Sequence, residues 1–511
     1  MNIEGNHLPG DVASCHALIT ELVKELDVKD RRLRQLQHQL EQLLRWRYGQ
    51  KRERVDENQM FFEAMAMVAR AKDEPLVEEK PPKPATEMPR PGHGRGRLPA
   101  HLPRKQVVYD VPADQQHCPH CPEALRHIGE EISERLEYVP ASFMVIEEVC
   151  HKYACPNGCT VVTAQKPMQP IEKGLPGPGL LAHIAGSKYG DHLPLARQEN
   201  IFHRLGVKVP RSTMCDWMRR AAELVKPLYQ RMRQRVLSSK AVQTDDSPVP
   251  VLDPELPRTR TGRIWTYVGD AVNPYTVYDY TPTREGKGPA AFLEDFSGYV
   301  QADAYPGYDA MFADETRDIE ELACWAHARR KFFEAQSSDL MRSMVMLAYV
   351  RLLYDVEREA KDKGWTGEPR RVLRQEKSLP ILADIEAYLQ REQSHVLPKT
   401  PIANAIDYVL KNWLALKRYT EDGDLEIDNN GAERSLRGIA VGRKNWLFYG
   451  SDNGGLTAAV LTSLIASAKR AKIDPVAYLR DIFDRISAHP AGRLDEFLPD
   501  QWKASHLPNT T

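Results

Sequence analysis

The chain has 511 residues, 70 Lys+Arg against 71 Asp+Glu, and 42% hydrophobic content. This size allows several domains and at least one sizeable core, whereas the near-zero net charge excludes a globally polycationic nucleic-acid binder, so any polyanion surface must come from local segregation of charge. The N-terminal MNIEGNHLPG lacks a signal-peptide core, and the apolar run Leu456 to Ala468 is too short to span a bilayer, which predicts a cytoplasmic protein with no membrane partner.

In chain order, Ile19, Leu22, Leu26, Lys29, Leu33, Leu36, Leu40 and Leu43 alternate spacings of three and four. One helical stripe of that kind needs a partner helix, so residues 1–60 are predicted to form a leucine-zipper-like coiled coil that makes a homodimer. Its end, RWRYGQKRER, is basic: between Arg31 and Arg54 there are eight Lys/Arg and two Glu. Residues 61–108, rich in Pro and charge, read as a linker.

The cysteines Cys118 and Cys121, in CPHC, precede Cys155 and Cys159, in CPNGC. Two such turns close a tetrahedron of thiolates, so 109–168 is predicted to be a zinc-ribbon-like module holding structural Zn²⁺. His117, His120, Cys150 and His151 are alternative ligands, and the intervening ERLEYVPASFMVIEEVCHKYA alternates like a pair of strands. Residues 169–238 follow as a helical, helix-turn-helix-like DNA-binding domain, with Gly206 in the turn and Ser212 as the cap of the second helix.

From Val242 the pattern turns to strands: VQTDDSPVPVL, RIWTYVGD and YTVYDYTP, then a helix at GPAAFLEDF, then GYVQADAYPGY and IEELACWAH. This order matches a ribonuclease H-like α/β core, assigned here to 239–455 and interrupted by an α-helical insertion over about 335–424; residues 456–511 are a helical tail. Asp245 falls on the first strand and Asp303 at the end of the fourth, which lie side by side in that topology. Alternation along the strand sends Asp246 to the opposite face. The fold class predicted is therefore multidomain α/β.

The stretch IDNNGAERSLRGIAVGRKNWLFYGSDNGG, Ile427 to Gly455, places Glu433 in the first turn of a helix otherwise rich in cations, with Asp428 or a neighbouring Asn as its cap. Phosphodiester chemistry needs about three convergent carboxylates to hold a pair of hard cations, Mg²⁺ or Mn²⁺. Asp245, Asp303 and Glu433 are the predicted ligands. Arg434, Arg437, Arg443 and Lys444 would then neutralise DNA phosphates, and Trp446 would stack on an unpaired base.

These residues carry a resemblance. LLRWRYGQKRER, CPHC…CPNGC, GSKYGDHLPLARQENIF, TDDSPVPVLDP, GRIWTYVGD, VQADAYPGYDAMF, CWAHARRKFF and DNNGAERSLRGIAVGRKNWLFYGSDNGG together make the chain similar to the large transposase of the insertion sequence 66 family, a DDE transposase, over nearly its whole length. The resemblance implies cleavage at terminal inverted repeats, direct joining of the freed 3′-hydroxyl to target DNA, and accessory proteins from the same element. It carries the triad over to Asp245, Asp303 and Glu433, and a supporting Cys-x-x-His to Cys324 and His327. Two departures stand out: CxxxC replaces the usual CxxC at the second cysteine pair, and TDDS replaces DET. Competing readings are a ribonuclease H-like nuclease or resolvase, and a non-catalytic zinc-containing DNA-binding regulator.

Overall fold

The computed structural model describes Lys29 and residues 142–154, 161–163, 167–172, 174–303 and 305–506. The predicted coiled coil and linker, the CPHC pair, Cys155 and Cys159 lie outside the described residues. Residues 77–149 form a unit of their own, in which 142–149 are in no regular element. The strand alternation read over these residues is thus not realised there. Strands begin at β1 (Lys152–Ala154), which pairs antiparallel with β2 (Val161–Thr163) on either side of the second cysteine pair in sequence.

Three helices follow: α1 (Pro178–Ala185), α2 (Leu195–Arg204) and α3 (Arg211–Leu237). Gly206 turns between the last two at φ +83°, a left-handed value that Gly adopts without a Cβ penalty. Helix α3 starts one residue earlier than Ser212, and Ser212 does not cap it. The free Arg211 N–H is instead accepted by the Glu199 carboxylate of α2 at 3.3 Å. α3 also runs through Pro227. Its buried stripe, from Met214 and Trp217 to Met232 and Val236, packs the helix pair onto the body that follows.

That body is a five-stranded mixed sheet. β3 (Ala241–Val251), β4 (Arg260–Val268) and β5 (Thr276–Thr281) are an antiparallel meander. After α4 (Lys287–Phe292), β6 (Gly298–Ala302) returns parallel to β3. Beyond α5 (Asp309–Phe312), β7 (Ile319–Ala323) adds parallel to β6. The spatial order is β5-β4-β3-β6-β7. Each strand falls on a segment read as a strand, because alternating Val, Ile, Tyr and Thr fit a pleated surface with two different faces. On one face Tyr267 stacks on Phe292 of α4, with ring centroids 3.6 Å apart. On the other, Val249, Ile264, Tyr278 and Tyr280 meet the helices that close the domain.

The helical segment after β7 comprises α6 (Trp325–Ala335), α7 (Leu340–Asp362), α8 (Glu368–Leu373), α9 (Leu379–Gln393), α10 (Pro401–Lys411) and α11 (Trp413–Lys417), and it builds one core with β7 around Trp325, Phe332, Leu353 and Ile406. α12 (Asn430–Trp446) then crosses the sheet, followed by α13 (Asp452–Arg470), α14 (Pro475–Arg485) and α15 (Pro499–His506). α13 belongs to the sheet body rather than to a tail. It lies along the edge strand β5, where Ser463 Oγ accepts from Tyr278 N at 2.8 Å and Ser467 Oγ from Thr276 N at 3.0 Å. Helix side chains thereby satisfy edge groups that would otherwise template aggregation. Among the described residues, no helix is long and apolar enough to cross a membrane.

Candidate active site

β3 and β6 are in register, with Gln243 opposite Gln301. Their side chains share a face, since Gln243 Nε2 donates to Gln301 Oε1 at 2.9 Å. Two residues farther along β3, on the same face as Gln243 by alternation, comes Asp245, and Asp303 follows directly on Ala302, the last residue of β6. The two glutamines also seat the chain that leads into α12: Gln301 Nε2 donates to Glu426 O at 2.8 Å and Gln243 Nε2 to Asp428 O at 2.9 Å. The face carrying Asp245 is therefore the face on which α12 begins.

The start of α12 is held from three further directions. Tyr354 Oη of α7 donates to Asp428 Oδ2 at 2.8 Å, the buried Cys324 Sγ accepts from Asn429 N at 3.4 Å, and Trp325 N donates to Ile427 O at 3.2 Å. Gly431 lets the helix come this close, because a Cβ there would stand 2.1 Å from Gln243 Oε1. Asn429 occupies the cap position without a side-chain cap bond, and Asp428 Oδ1 takes the Asn430 N–H at 3.1 Å instead. Glu433 follows in the first turn, where the helix dipole favours a carboxylate.

These placements gather one electrostatic neighbourhood. Asp245 is pushed up to about 7, first by burial and then by the charges of Asp303, Asp246 and Glu433, against the Asp246 N–H that donates to its Oδ1 at 2.7 Å. His327 Nε2 lies 3.6 Å from Glu433 Oε1, and Arg330 Nη2 lies 3.5 Å from Glu433 Oε2. Burial holds the His327 imidazole below its ordinary value, while Glu433 and Asp303 oppose that shift. The Cys324 thiol is pushed up to about 12 by burial, so it serves as a packed anchor for α12 and not as a thiolate.

Among the described residues, no three His, Cys, Asp or Glu side chains stand close enough to hold a metal ion as they are. The donor set nonetheless suits a hard cation. It offers three carboxylates on a sheet and a helix, and Glu433 Oε1 and His327 Nδ1 are both buried with no hydrogen-bond partner. A divalent ion would supply the missing contact to the carboxylate and relieve the repulsion on Asp245.

Asp246 points away from this group. Its side chain, 4% exposed, is gripped by Arg263 Nη1 at 2.8 Å and by Arg284 Nη2 at 2.9 Å. Arg284 in turn lies over the Tyr305 ring, 3.8 Å from its centroid. The sequence reading missed Arg263, Arg284, Tyr305 and Arg330. The arginines on Asp246 had one legible signal, a second acid that alternation turns away from the metal and that must find cations if buried.

The expected DNA-contacting residues divide. Arg434, Arg437 and Lys444 are exposed on α12, with Arg437 and Lys444 on the stripe of Glu433 by helical spacing. Arg443 is half-buried, its Nη1 donating to Pro248 O at 2.7 Å. Trp446 stacks on buried Tyr449, with centroids 4.5 Å apart and planes within 13°, so one face of the indole is already covered.

Family models match the chain along its length. The transposase IS66 family matches residues 173–457, and the zinc-finger binding domain of transposase IS66 matches 115–157, a span that includes Cys118, Cys121 and Cys155 and stops short of Cys159. The IS66 C-terminal element matches 463–499, and the model described as transposase C of IS166 homeodomain matches 35–107. The chain is similar to three uncharacterized proteins of Sinorhizobium fredii. It is 34% identical to y4hP, over 79% of this chain and 76% of that protein, and 34% identical to y4jD, over 81% and 83%. It is 36% identical to y4qI, over 81% and 78%.

Proposed function

The chain belongs to the IS66 transposase family and is a transposase of an insertion sequence, and on that premise we propose that Asp245, Asp303 and Glu433 are the acidic triad of a ribonuclease H-like core that cuts and joins DNA. The observation that carries this is the shared field of the three acids. The charges of Asp303 and Glu433 both raise the Asp245 carboxyl, and the parallel pairing of β3 with β6, up to Gln243 opposite Gln301, supports a shared site. The strand order, with an antiparallel meander running from one edge to β3 and two parallel strands continuing from β3 to the other edge, supports the ribonuclease H-like assignment.

Mg²⁺ or Mn²⁺ held by the three carboxylates would activate the attacking oxygen and stabilise the departing one. The chain's own residues do the rest. Arg330 and His327 hold Glu433 in place, and Arg437 and Lys444 bind phosphates along α12. Water attacks phosphorus at the element's end, the P–O3′ bond breaks, and a 3′-hydroxyl is freed. That hydroxyl then attacks a target phosphodiester, its proton leaving to solvent while the target's own 3′-oxygen departs. No bond to the protein forms. Terminal inverted repeats and target DNA are the substrates, the coiled coil of 1–60 holds two copies so that two ends are engaged together, and accessory proteins of the same element are candidate partners.

A strand-transfer assay with the DNA flanking the chain's own coding sequence and Mg²⁺ tests the reading. Wild type should cleave and join, while D303N and E433Q bind the ends and do neither. Nicked DNA without joined product would mean a nuclease, binding without cleavage a regulator, and cleavage that persists in both variants would remove the triad.

A further inference from the structure

The turn that leaves α12 is strained and presents apolar side chains to solvent. Leu447 has φ +67° and ψ −52°, and Phe448 N donates to Trp446 O at 2.8 Å. These values define a three-residue γ-turn of the rare hand, which a Leu adopts only when its surroundings impose it. Four non-glycine described residues have positive φ; the other three are His192, Lys399 and Lys472, and only Leu447 is apolar.

The flanks of the turn are pinned. Tyr449 N donates to Pro250 O at 2.9 Å, Leu252 N donates to Tyr449 O at 2.8 Å, and Arg443 Nη1 binds Pro248 O. Trp446 is clamped on Tyr449, which meets Tyr280 edge-on. The tip between these anchors leaves Leu447 61% and Phe448 41% exposed. A glycine would take this conformation without strain and expose no apolar surface. The chain instead holds two large apolar groups outward on a rigid base.

The charge beside the tip selects its occupant. Exposed Lys444 and Arg437 lead up to it along α12. An apolar tip flanked by cations fits a duplex whose phosphates bind the cations while a base step receives the apolar side chains. Glu433 lies fourteen positions before Leu447, the residue that ends α12, and at about 1.5 Å per residue the helix between them spans about 20 Å, or roughly six base steps.

We propose that Leu447 and Phe448 form a wedge that enters the base stack of bound DNA roughly six steps from the phosphate at the acidic triad, unstacking that step and bending the duplex. Phe448 is the more exposed aromatic of the two, since Trp446 has one face covered by Tyr449. The proposal rests on the transposase reading and adds to it where and by what side chains the DNA is deformed.

Duplexes from the DNA flanking the coding sequence, carrying 2-aminopurine at successive positions, test it with the full chain. Wild type should raise the fluorescence at positions centred about six steps from the cleaved phosphate. F448A should lose that rise and cleave roughly ten- to a hundredfold more slowly, F448W should keep both, and a mismatch placed at the step should restore cleavage by F448A. An unchanged melting temperature shows that the exposed substitution leaves the fold intact. If wild type cleaves with no localised rise, or F448A matches wild type in both readouts, the wedge is overturned while the transposase reading stands. A change in oligomeric state without a change in the DNA signal would overturn it too, assigning the tip to a second copy of the chain. Wild type that neither cleaves nor joins would overturn both.

Discussion

Replacing Asp245 with Asn should stabilise the metal-free protein at neutral and alkaline pH while removing its activity. The Asp245 carboxyl is lifted from an ordinary value of 3.8 to about 7, chiefly by burial and then by the neighbouring acids. The folded chain therefore holds a proton there that the unfolded chain gives up. Below about pH 4 both states are protonated and the site costs nothing; the cost grows as pH rises toward about 7 and is complete above it. At about 1.36 kcal/mol per tenfold, the full cost is on the order of 4 kcal/mol. Water entering the site and local relaxation reduce it, so about 2 kcal/mol, or roughly 4–8 °C in melting temperature for a domain of this size, is the expected gain. Asn preserves the acceptor for the Asp246 N–H at 2.7 Å, so the comparison isolates charge. Wild type and D245N would be melted with a chelator at about pH 4 and about pH 8, then with Mg²⁺ at the higher pH. The variant should melt higher only at the higher pH, and Mg²⁺ should raise wild type alone. A variant that melts at or below wild type at about pH 8 with chelator would refute a carboxylate squeezed by burial and like charge.

Removing one partner of the buried Asp246 cluster, as in R263A, should cost on the order of 2 kcal/mol in denaturant melts. The Mg²⁺ concentration needed for cleavage should stay unchanged, because Asp246 faces Arg263 and Arg284 rather than the triad. Y354F removes the donor to Asp428 Oδ2. It should cost about 1–2 kcal/mol and lower kcat with KM for DNA unmoved, since it loosens the start of α12 and no phosphate contact. Chelating zinc, or C118S, should unfold the segment from about 110 to 165 and weaken end binding, with metal analysis of the wild type returning bound zinc; a zinc-free native protein would end that assignment.

Much of the sheet was legible because its strands alternate cleanly: RIWTYVGD and YTVYDYTP carry the two-residue period of half-buried strands in the letters themselves. That period also put Asp245 and Asp246 on opposite faces, while the preference for Asp245 came from the family resemblance. The end of the helix pair was not legible in the same way. Ser212 is a good local cap, but Pro210 sets the entry and Glu199, from the preceding helix, satisfies the free N–H. Residues 142–149, which are in no regular element, likewise show that alternation alone does not make a ladder. Trp446 was read as a base-stacking residue, and only the fold shows that Tyr449, three positions on, covers one face of it.

By itself, the sequence determined the order of elements, the acid types on them and the family to which the chain belongs, since these depend on local period, turn residues and motif spacing. The tertiary structure alone decided which groups meet. Arg263 and Arg284 converge on Asp246 from separate segments, Tyr354 of α7 reaches Asp428, and the edge of β5 is closed by serines from a helix nearly 200 residues later. Burial, register and the field of three acids are properties of chain segments brought together, and no window of the sequence contains them.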